Sequence, residues 1–368
     1  MSDSIIQYGP SCNSKEIENI LNHIFSLKNE NNNPTPICIW GTHGLGKTEM
    51  VKDYAYSNGW GFSYIAPAQF EEMGDLHGIP HEVKIKNKTI TKYSPPEWVP
   101  TKDGPGILLI DDINRADDRI LRGCMQLLQN YELSSWKLPK DWKIVATANP
   151  EGADYSVTPL DDAMLTRMVH LTFIFNYKVW AEWALNAGVD KRGISFVLTY
   201  PELINNNRTT PRSLTQFFEL IKNIENLKEN INLVLGLAQS TLDEVTASSF
   251  VNFVNDDLQS LIEPEEILES NQFSDVEKKI KALSKDEGGE KRVDRLSTIT
   301  TRLYLHIKSS KYEIKKTHKE NLIKFFLLDY LPNDLTMSLY IDLQKSSNES
   351  IKKMIRDKRL ASFLLNSM

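Results

Sequence analysis

The chain has 368 residues, of which 40% are hydrophobic and 25% charged, and its net charge is −6. That length accommodates two or three packed domains, and the composition is that of an ordinary soluble globular protein. No apolar run reaches the ~20 residues of a membrane span, and the acidic balance disfavours tracking of nucleic-acid phosphates over the whole surface.

The first residues, Met1 to Ile6, lack the basic-then-apolar pattern of a secretion signal. Cys12, Cys38 and Cys124 lie far apart with no C-x-x-C spacing. They read as reduced, buried thiols in a cytoplasmic protein, not as disulfide or zinc ligands. The histidines show no metal-ligand spacing either.

In chain order, Asn13 caps a first helix, with Glu16 at the capping-box position and Ile17, Ile20, Leu21 and Ile24 on one face. A polar linker, Asn29 to Pro36, leads to the apolar strand Ile37 to Trp40. Gly41-Thr42-His43-Gly44-Leu45-Gly46-Lys47-Thr48 follows and spells G-x-x-x-x-G-K-[ST]; a helix through Met50, Val51 and Tyr54 starts at its lysine. Gly61 to Ala66 is a second strand. The alternating runs Glu82 to Lys86 and Thr89 to Tyr93 predict a β-hairpin around Asn87-Lys88, and Pro95, Pro96 and Pro100 then break regular structure. Gly106 to Asp112 is a buried parallel strand ending in two carboxylates. A helix from Ile120 to Leu128, a short second hairpin from Leu133, a strand from Lys143 to Pro150 and a fifth strand, Val169 to Phe173, complete an α/β pattern. After Asn176 the pattern is wholly helical, with the charged or Gly-containing stretches Glu263 to Gln272 and Ser284 to Glu290 reading as linkers.

The loop from Gly41 to Thr48 carries the clearest chemistry. Its glycines allow backbone N–H groups to turn onto phosphate oxygens, and the following helix adds its positive end. Lys47 suits the β- and γ-phosphates and the Thr48 hydroxyl suits Mg²⁺. His43 occupies a variable position and reads as a spacer. Mg²⁺ and the attacking water both call for carboxylates at the end of a neighbouring parallel strand, where Asp111 and Asp112 stand. Asp111 suits the metal, through water, and Asp112 the polarisation of the attacking water. Asn149 ends the next buried strand, where an amide either orients that water or caps the following loop.

In order along the chain, Ile110-Asp111-Asp112-Ile113-Asn114-Arg115-Ala116, Ala146-Thr147-Ala148-Asn149-Pro150, Leu160 to Met168 and Thr210-Pro211-Arg212-Ser213 resemble the Walker B, sensor-1, arginine-finger and sensor-2 segments of MoxR-type AAA+ ATPases. The resemblance spans roughly residues 10 to 260. It implies a P-loop AAA+ nucleotide domain with a central parallel sheet (1–176, hairpin insert about 81–93), an all-helical lid (177–262) and a helical C-terminal domain (263–368). It implies ATP and Mg²⁺ as cofactors and a homo-oligomeric, hexameric ring. Arg167 then serves a neighbouring subunit's γ-phosphate, although from its residue type alone it would be a surface ion pair. Arg212 senses the nucleotide from the lid, and Arg115 is a candidate interface contact. The implied activity is ATP hydrolysis that remodels or assembles a protein partner, which in this family is often a von Willebrand factor A-like protein.

The chain departs from the family at Asp112, where Glu is usual. The side chain is shorter by about 1.5 Å, which points to an active but slow ATPase. Two other readings compete with remodelling. One is a nucleic-acid-stimulated motor of the McrB kind, and the other a nucleotide-gated scaffold that barely hydrolyses. Lys84, Lys86, Lys88 and Lys92 make the hairpin insert basic beside Tyr93 and Trp98. Such a hairpin binds single-stranded nucleic acid, contacts an acidic protein, or simply packs by its aromatics. The region after about residue 265 is a ring collar, a docking platform or a plain helical extension.

Overall fold

A computed structural model describes residues 7–27, 33–86, 88–151, 157–204, 208–256, 261–285, 289–309, 315–346 and 348–367. The chain divides into two units, Met1–Phe175 and Asn176–Met368.

The first unit runs β1 (Ser11–Cys12), α1 (Ser14–Ser26), β2 (Ile37–Trp40), α2 (Lys47–Ser57), β3 (Gly61–Ile65), α3 (Met73–His77), β4 (Ile79–Ile85), β5 (Lys88–Ser94), β6 (Gly106–Ile110), α4 (Asp118–Asn130), β7 (Glu132–Leu133), β8 (Trp136–Lys137), β9 (Trp142–Ala148), α5 (Asp162–Leu165) and β10 (Val169–Phe173). Six strands form one sheet in the order β1-β10-β2-β9-β6-β3, with every neighbouring pair parallel.

Uninterrupted apolar strands suit this sheet because successive side chains enter two separate layers. Ile107 and Leu109 of β6 join Ile37, Ile39 and Val145 beneath Ile17 and Leu21 of α1 and Val51 and Tyr54 of α2. Leu108 and Ile110 join Cys38, Ile144 and Ala146 beneath Ile120, Cys124 and Leu127 of α4. The cysteines are free and buried, and burial pushes the Cys124 thiol up to about 12. Gly106 admits the edge of Trp142, since a Cβ there would stand 2.6 Å from the indole.

Local signals explain the element ends. Asn13 accepts the Lys15 and Glu16 N–H groups while Glu16 returns to the Asn13 N–H, closing the capping box of α1. Asp117 accepts the Arg119 and Ile120 N–H groups, so α4 begins two residues ahead of its apolar stripe. The hairpin β4–β5 is longer than its alternation suggests, pairing Ile79 with Ser94 at the base and Ile85 with Lys88 near the tip. Its tip residue Asn87 lies outside the described residues, as do Met1 to Ile6, part of the Asn29 to Pro36 linker and part of the Ser284 to Glu290 linker. The short β7–β8 hairpin is present.

Two expectations need correction. The two-residue strand β1 was not foreseen, because two residues carry no period; it adds at the sheet edge beside β10. Glu263 to Gln272 is not a linker. It contains helix Pro264–Glu269, whose Ile267 and Leu268 are buried. The acidic side chains mask a short apolar face, and Pro264 stands at the first helical turn, where its missing N–H is harmless.

The second unit is helical throughout its described residues apart from an isolated bridge between Lys285 and Lys291. Phe196, Phe217, Phe250 and Phe253 form an aromatic cluster with edge-on contacts, Phe217 and Phe250 at 4.8 Å between ring centres. A second apolar core, including Ile280, Leu303, Phe325, Phe326 and Leu343, holds the later helices. Buried Thr199 and Thr298 hydroxyls meet at 3.0 Å between the earlier and later helices. This is a P-loop AAA+ fold followed by a helical C-terminal region.

Candidate nucleotide site

The ends of β2, β6 and β9 are adjacent in the sheet, so the loops leaving them converge at the C-terminal edge. Gly41 continues the ladder by donating to Ala148 O at 3.1 Å. The loop then bends through Gly44 and Gly46, whose φ values of 72° and 91° are left-handed. Gly46 is the N-cap of α2, which begins at Lys47.

Lys47 is buried. Its Nζ donates to Gly41 O at 2.7 Å, Thr42 O at 3.1 Å and Asn149 Oδ1 at 3.3 Å. Thr48 Oγ1 donates to Asp111 Oδ1 at 2.9 Å. Loop, carboxylate strand and the strand bearing Asn149 are therefore tied into one hydrogen-bonded network. His43 is exposed, and Leu45 is buried under the loop.

Asp111 is held from three directions. Besides Thr48, its Oδ1 accepts from Thr147 Oγ1 at 2.7 Å, and its Oδ2 accepts from the Tyr64 hydroxyl at 3.2 Å. Burial and the Asp111 carboxylate push the Tyr64 phenol up to about 12. Asp112 has left-handed backbone, φ 47° and ψ 47°, and its N–H donates to Thr147 Oγ1 at 2.8 Å. Asp is among the few residues that adopt this conformation readily, because its short polar side chain bonds locally. That is a backbone reason for Asp, not Glu, at this position. The Asp112 carboxylate pairs with Arg115, Oδ2 to Nε 3.3 Å, in a partly exposed contact.

Asn149 is fully buried. Its Oδ1 faces Lys47, and its Nδ2 is buried without a hydrogen-bond partner among the described residues. An orphaned buried donor is uncommon and costly. Here it lies beside the loop lysine, as a site for an oxyanion or a water requires. Thr48 and Asp111 offer hard oxygen ligands of the kind magnesium takes, with the remaining positions normally filled by phosphate and water.

Arg167 stands apart from this network. Its Nε donates to Gln129 Oε1 at 3.2 Å and its guanidinium also bonds Ala163 O. The segment bearing it is tied to β2 through His170. Trp40 Nε1 donates to His170 Nδ1 at 2.9 Å, so His170 Nε2 carries the hydrogen that meets Leu165 O at 2.7 Å. Arg212 belongs to the second unit. It is exposed in the first turn of helix Pro211–Ile221, behind the cap residue Thr210.

Tyr64, Thr147, Asn114 and His170 were not singled out from the sequence. Each acts through a partner distant in the chain, and only strand pairing, such as Tyr64 with Leu109 and Ile37 with Val145, reveals the proximity.

Residues 36–168 match the family described as AAA domain (dynein-related subfamily). No curated protein matches the chain. Among solved structures, one of RuvB from Thermotoga maritima aligns at 13% identity over 70% of this chain and 75% of that one, with a TM-score of 0.40. Another, titled a RuvB Holliday junction branch migration motor from the same organism, aligns at 12% identity over 94% and 89%, with a TM-score of 0.32. No helix among the described residues is long and apolar enough to cross a membrane. With the phosphate loop, the sheet order and the family match together, residues 36–168 are similar to an AAA domain of the dynein-related subfamily, the nucleotide domain of an ATP-hydrolysing P-loop enzyme.

Proposed function

We propose that the chain is a MoxR-type AAA+ ATPase that works in the cytoplasm as a homo-oligomeric, hexameric ring, hydrolysing ATP at subunit interfaces to remodel or assemble a protein partner. A von Willebrand factor A-like protein is the partner class to test first. The observation carrying this reading is the convergence of Lys47, Thr48, Asp111 and Asn149 in one network, while Arg167 bonds elsewhere. A site with its own loop, carboxylates and amide but with its arginine outside is what a shared interface needs.

In this reading the loop from Gly41 to Thr48 cradles the phosphates, and Lys47 exchanges its carbonyl partners for phosphate oxygens. Thr48 and Asp111 hold Mg²⁺, which when bound neutralises charge on the β- and γ-phosphates. Asp112 takes up the attacking water's proton and Asn149 orients that water. Arg167 steadies the transition state in the neighbouring subunit. Arg212 reports nucleotide state from a lid of residues 177–262, and residues 263–368 form a C-terminal domain.

The basic hairpin favours a second reading, a nucleic-acid-stimulated motor. Lys84, Lys86, Lys88 and Lys92 are all exposed on it. Phosphate release separates the two. Remodelling predicts no stimulation by single- or double-stranded DNA or by RNA, and capture of a protein by the ATP-bound Asp112→Asn variant. Salt-sensitive stimulation by nucleic acid, with only nucleic acid captured, would establish the motor instead.

A further inference from the structure

Asn114 follows the two carboxylates and lies outside the phosphate loop, yet it is fully buried and devotes its side-chain amide to one residue. Its Nδ2 donates to Asn149 O at 2.8 Å and its Oδ1 accepts the Asn149 N–H at 3.0 Å. This is the reciprocal pairing that a neighbouring strand would supply. No strand supplies it here, because β6 and β9 stay paired only as far as Ile110 and Ala146. On the other side of β9, Gly41 reaches only Ala148. Without Asn114, the Asn149 backbone would leave the sheet with both polar groups buried and unpaired, a costly arrangement.

We infer that Asn114 is a positioning residue for the reaction. It clamps the Asn149 backbone so that the Asn149 amide presents Oδ1 to Lys47 and keeps Nδ2 open for the attacking water or a phosphate oxygen. The inference rests on the role proposed above for Asn149. Two observations carry it beyond ordinary packing. The clamped residue bears the orphaned buried donor, so the clamp holds an amide at some cost in a fixed direction. Asn114 also lies in the short turn Ile113–Arg115 that follows Asp112, where Arg115 N–H bonds Asp112 O at 2.9 Å. The turn that sets the Asp112 backbone therefore also sets Asn149. Asn114 O in turn accepts the Thr158 N–H at 2.7 Å, which anchors the turn from behind.

The test is a double-mutant cycle on the full chain, with single-turnover phosphate release, affinity for a fluorescent ATP analogue and thermal midpoint as readouts. Asn114→Ala should bind the analogue within about threefold of wild type while turnover falls about tenfold to a hundredfold, the scale of an ångström misplacement. Combined with Asn149→Ala, it should add nothing to the slower single variant, because both act through one amide. Wild-type turnover by Asn114→Ala, or multiplication of the two single effects in the double variant, overturns the clamp. If Asn149→Ala itself turns over like wild type, the role of Asn149 has failed, a result distinguishable from failure of the clamp alone. Should Asn114→Ala not fold, Asn114→Asp keeps the shape and the acceptor but loses the donor when ionised. Its turnover relative to wild type should recover as pH falls and the carboxyl regains a proton to donate; a ratio that stays flat with pH overturns the inference.

Discussion

Thr147 Oγ1 donates to Asp111 Oδ1 across 2.7 Å while accepting the Asp112 N–H at 2.8 Å. One buried hydroxyl thus fixes the side chain of the first carboxylate and the backbone of the second. Thr147→Val has nearly the same shape and loses both bonds. It should destabilise the first unit by about 1–3 kcal/mol and lower its thermal midpoint by about 5 °C. The Mg²⁺ concentration for half-maximal phosphate release should rise. Thr147→Ser, which keeps the hydroxyl, should restore both; if Val matches wild type in Mg²⁺ dependence, Asp111 needs no such support.

Binding and turnover should separate cleanly at two positions. Lys47→Ala removes the ammonium that meets Gly41 O and Asn149 Oδ1, and affinity for ATP should fall at least about tenfold, the effect of ~1.4 kcal/mol. Asp112→Asn tolerates the same left-handed backbone, so it should bind ATP like wild type and release almost no phosphate. Equilibrium binding and phosphate release measured on the same preparations give the comparison.

His170 links the phosphate-loop strand to the segment carrying Arg167. His170→Phe fills the space but strands the Trp40 N–H and leaves the Leu165 carbonyl with only the longer bond from the Met168 N–H. A cost of about 2 kcal/mol is expected, seen as a lower thermal midpoint. Turnover should fall more than ATP affinity, because the displaced segment carries Arg167. Equal losses in both would mean that the linkage supports only the loop.

His77 gives a pH signature. Burial lowers its pKa below the ordinary 6.5; its Nδ1 meets Ser134 Oγ at 3.1 Å and its Nε2 has no hydrogen-bond partner. The unfolded chain therefore binds a proton that the folded chain resists. Its contribution to stability is complete above about pH 6.5 and shrinks as pH falls through that value, levelling off below the folded pKa. The thermal midpoint of the first unit should drop between pH 7 and pH 5.5, and His77→Gln should flatten that part of the profile. An identical profile for the variant would assign the acid sensitivity to other groups.

Much of this architecture is legible from residue pattern. The capping box at Asn13 and Glu16, the apolar runs of β2, β6 and β9, and the glycine spacing of the phosphate loop are local signals with local causes. The Glu263 to Gln272 segment misleads because its four glutamates outnumber the three buried residues, Pro264, Ile267 and Leu268, that make it a packed helix. The support around the site was hidden for another reason. Tyr64 and Thr147 reach Asp111 from strands 47 and 36 positions away in sequence, and Asn114 reaches Asn149 over 35. Such contacts exist only once the strand order is known. Asp112 was legible as a carboxylate, but its left-handed backbone, which favours Asp over Glu, was not.

In the proposed mechanism each nucleotide is hydrolysed between two copies of the chain, with Arg167 acting on the neighbour. Mixing two inactive variants tests it directly. Arg167→Ala keeps Asp112 but lacks the arginine, and Asp112→Asn keeps the arginine but lacks the carboxylate. A site shared between two copies predicts that phosphate release by the mixture clearly exceeds the sum of the separate rates and grows with total protein concentration. A mixture that only sums the two separate rates at every concentration would contradict it.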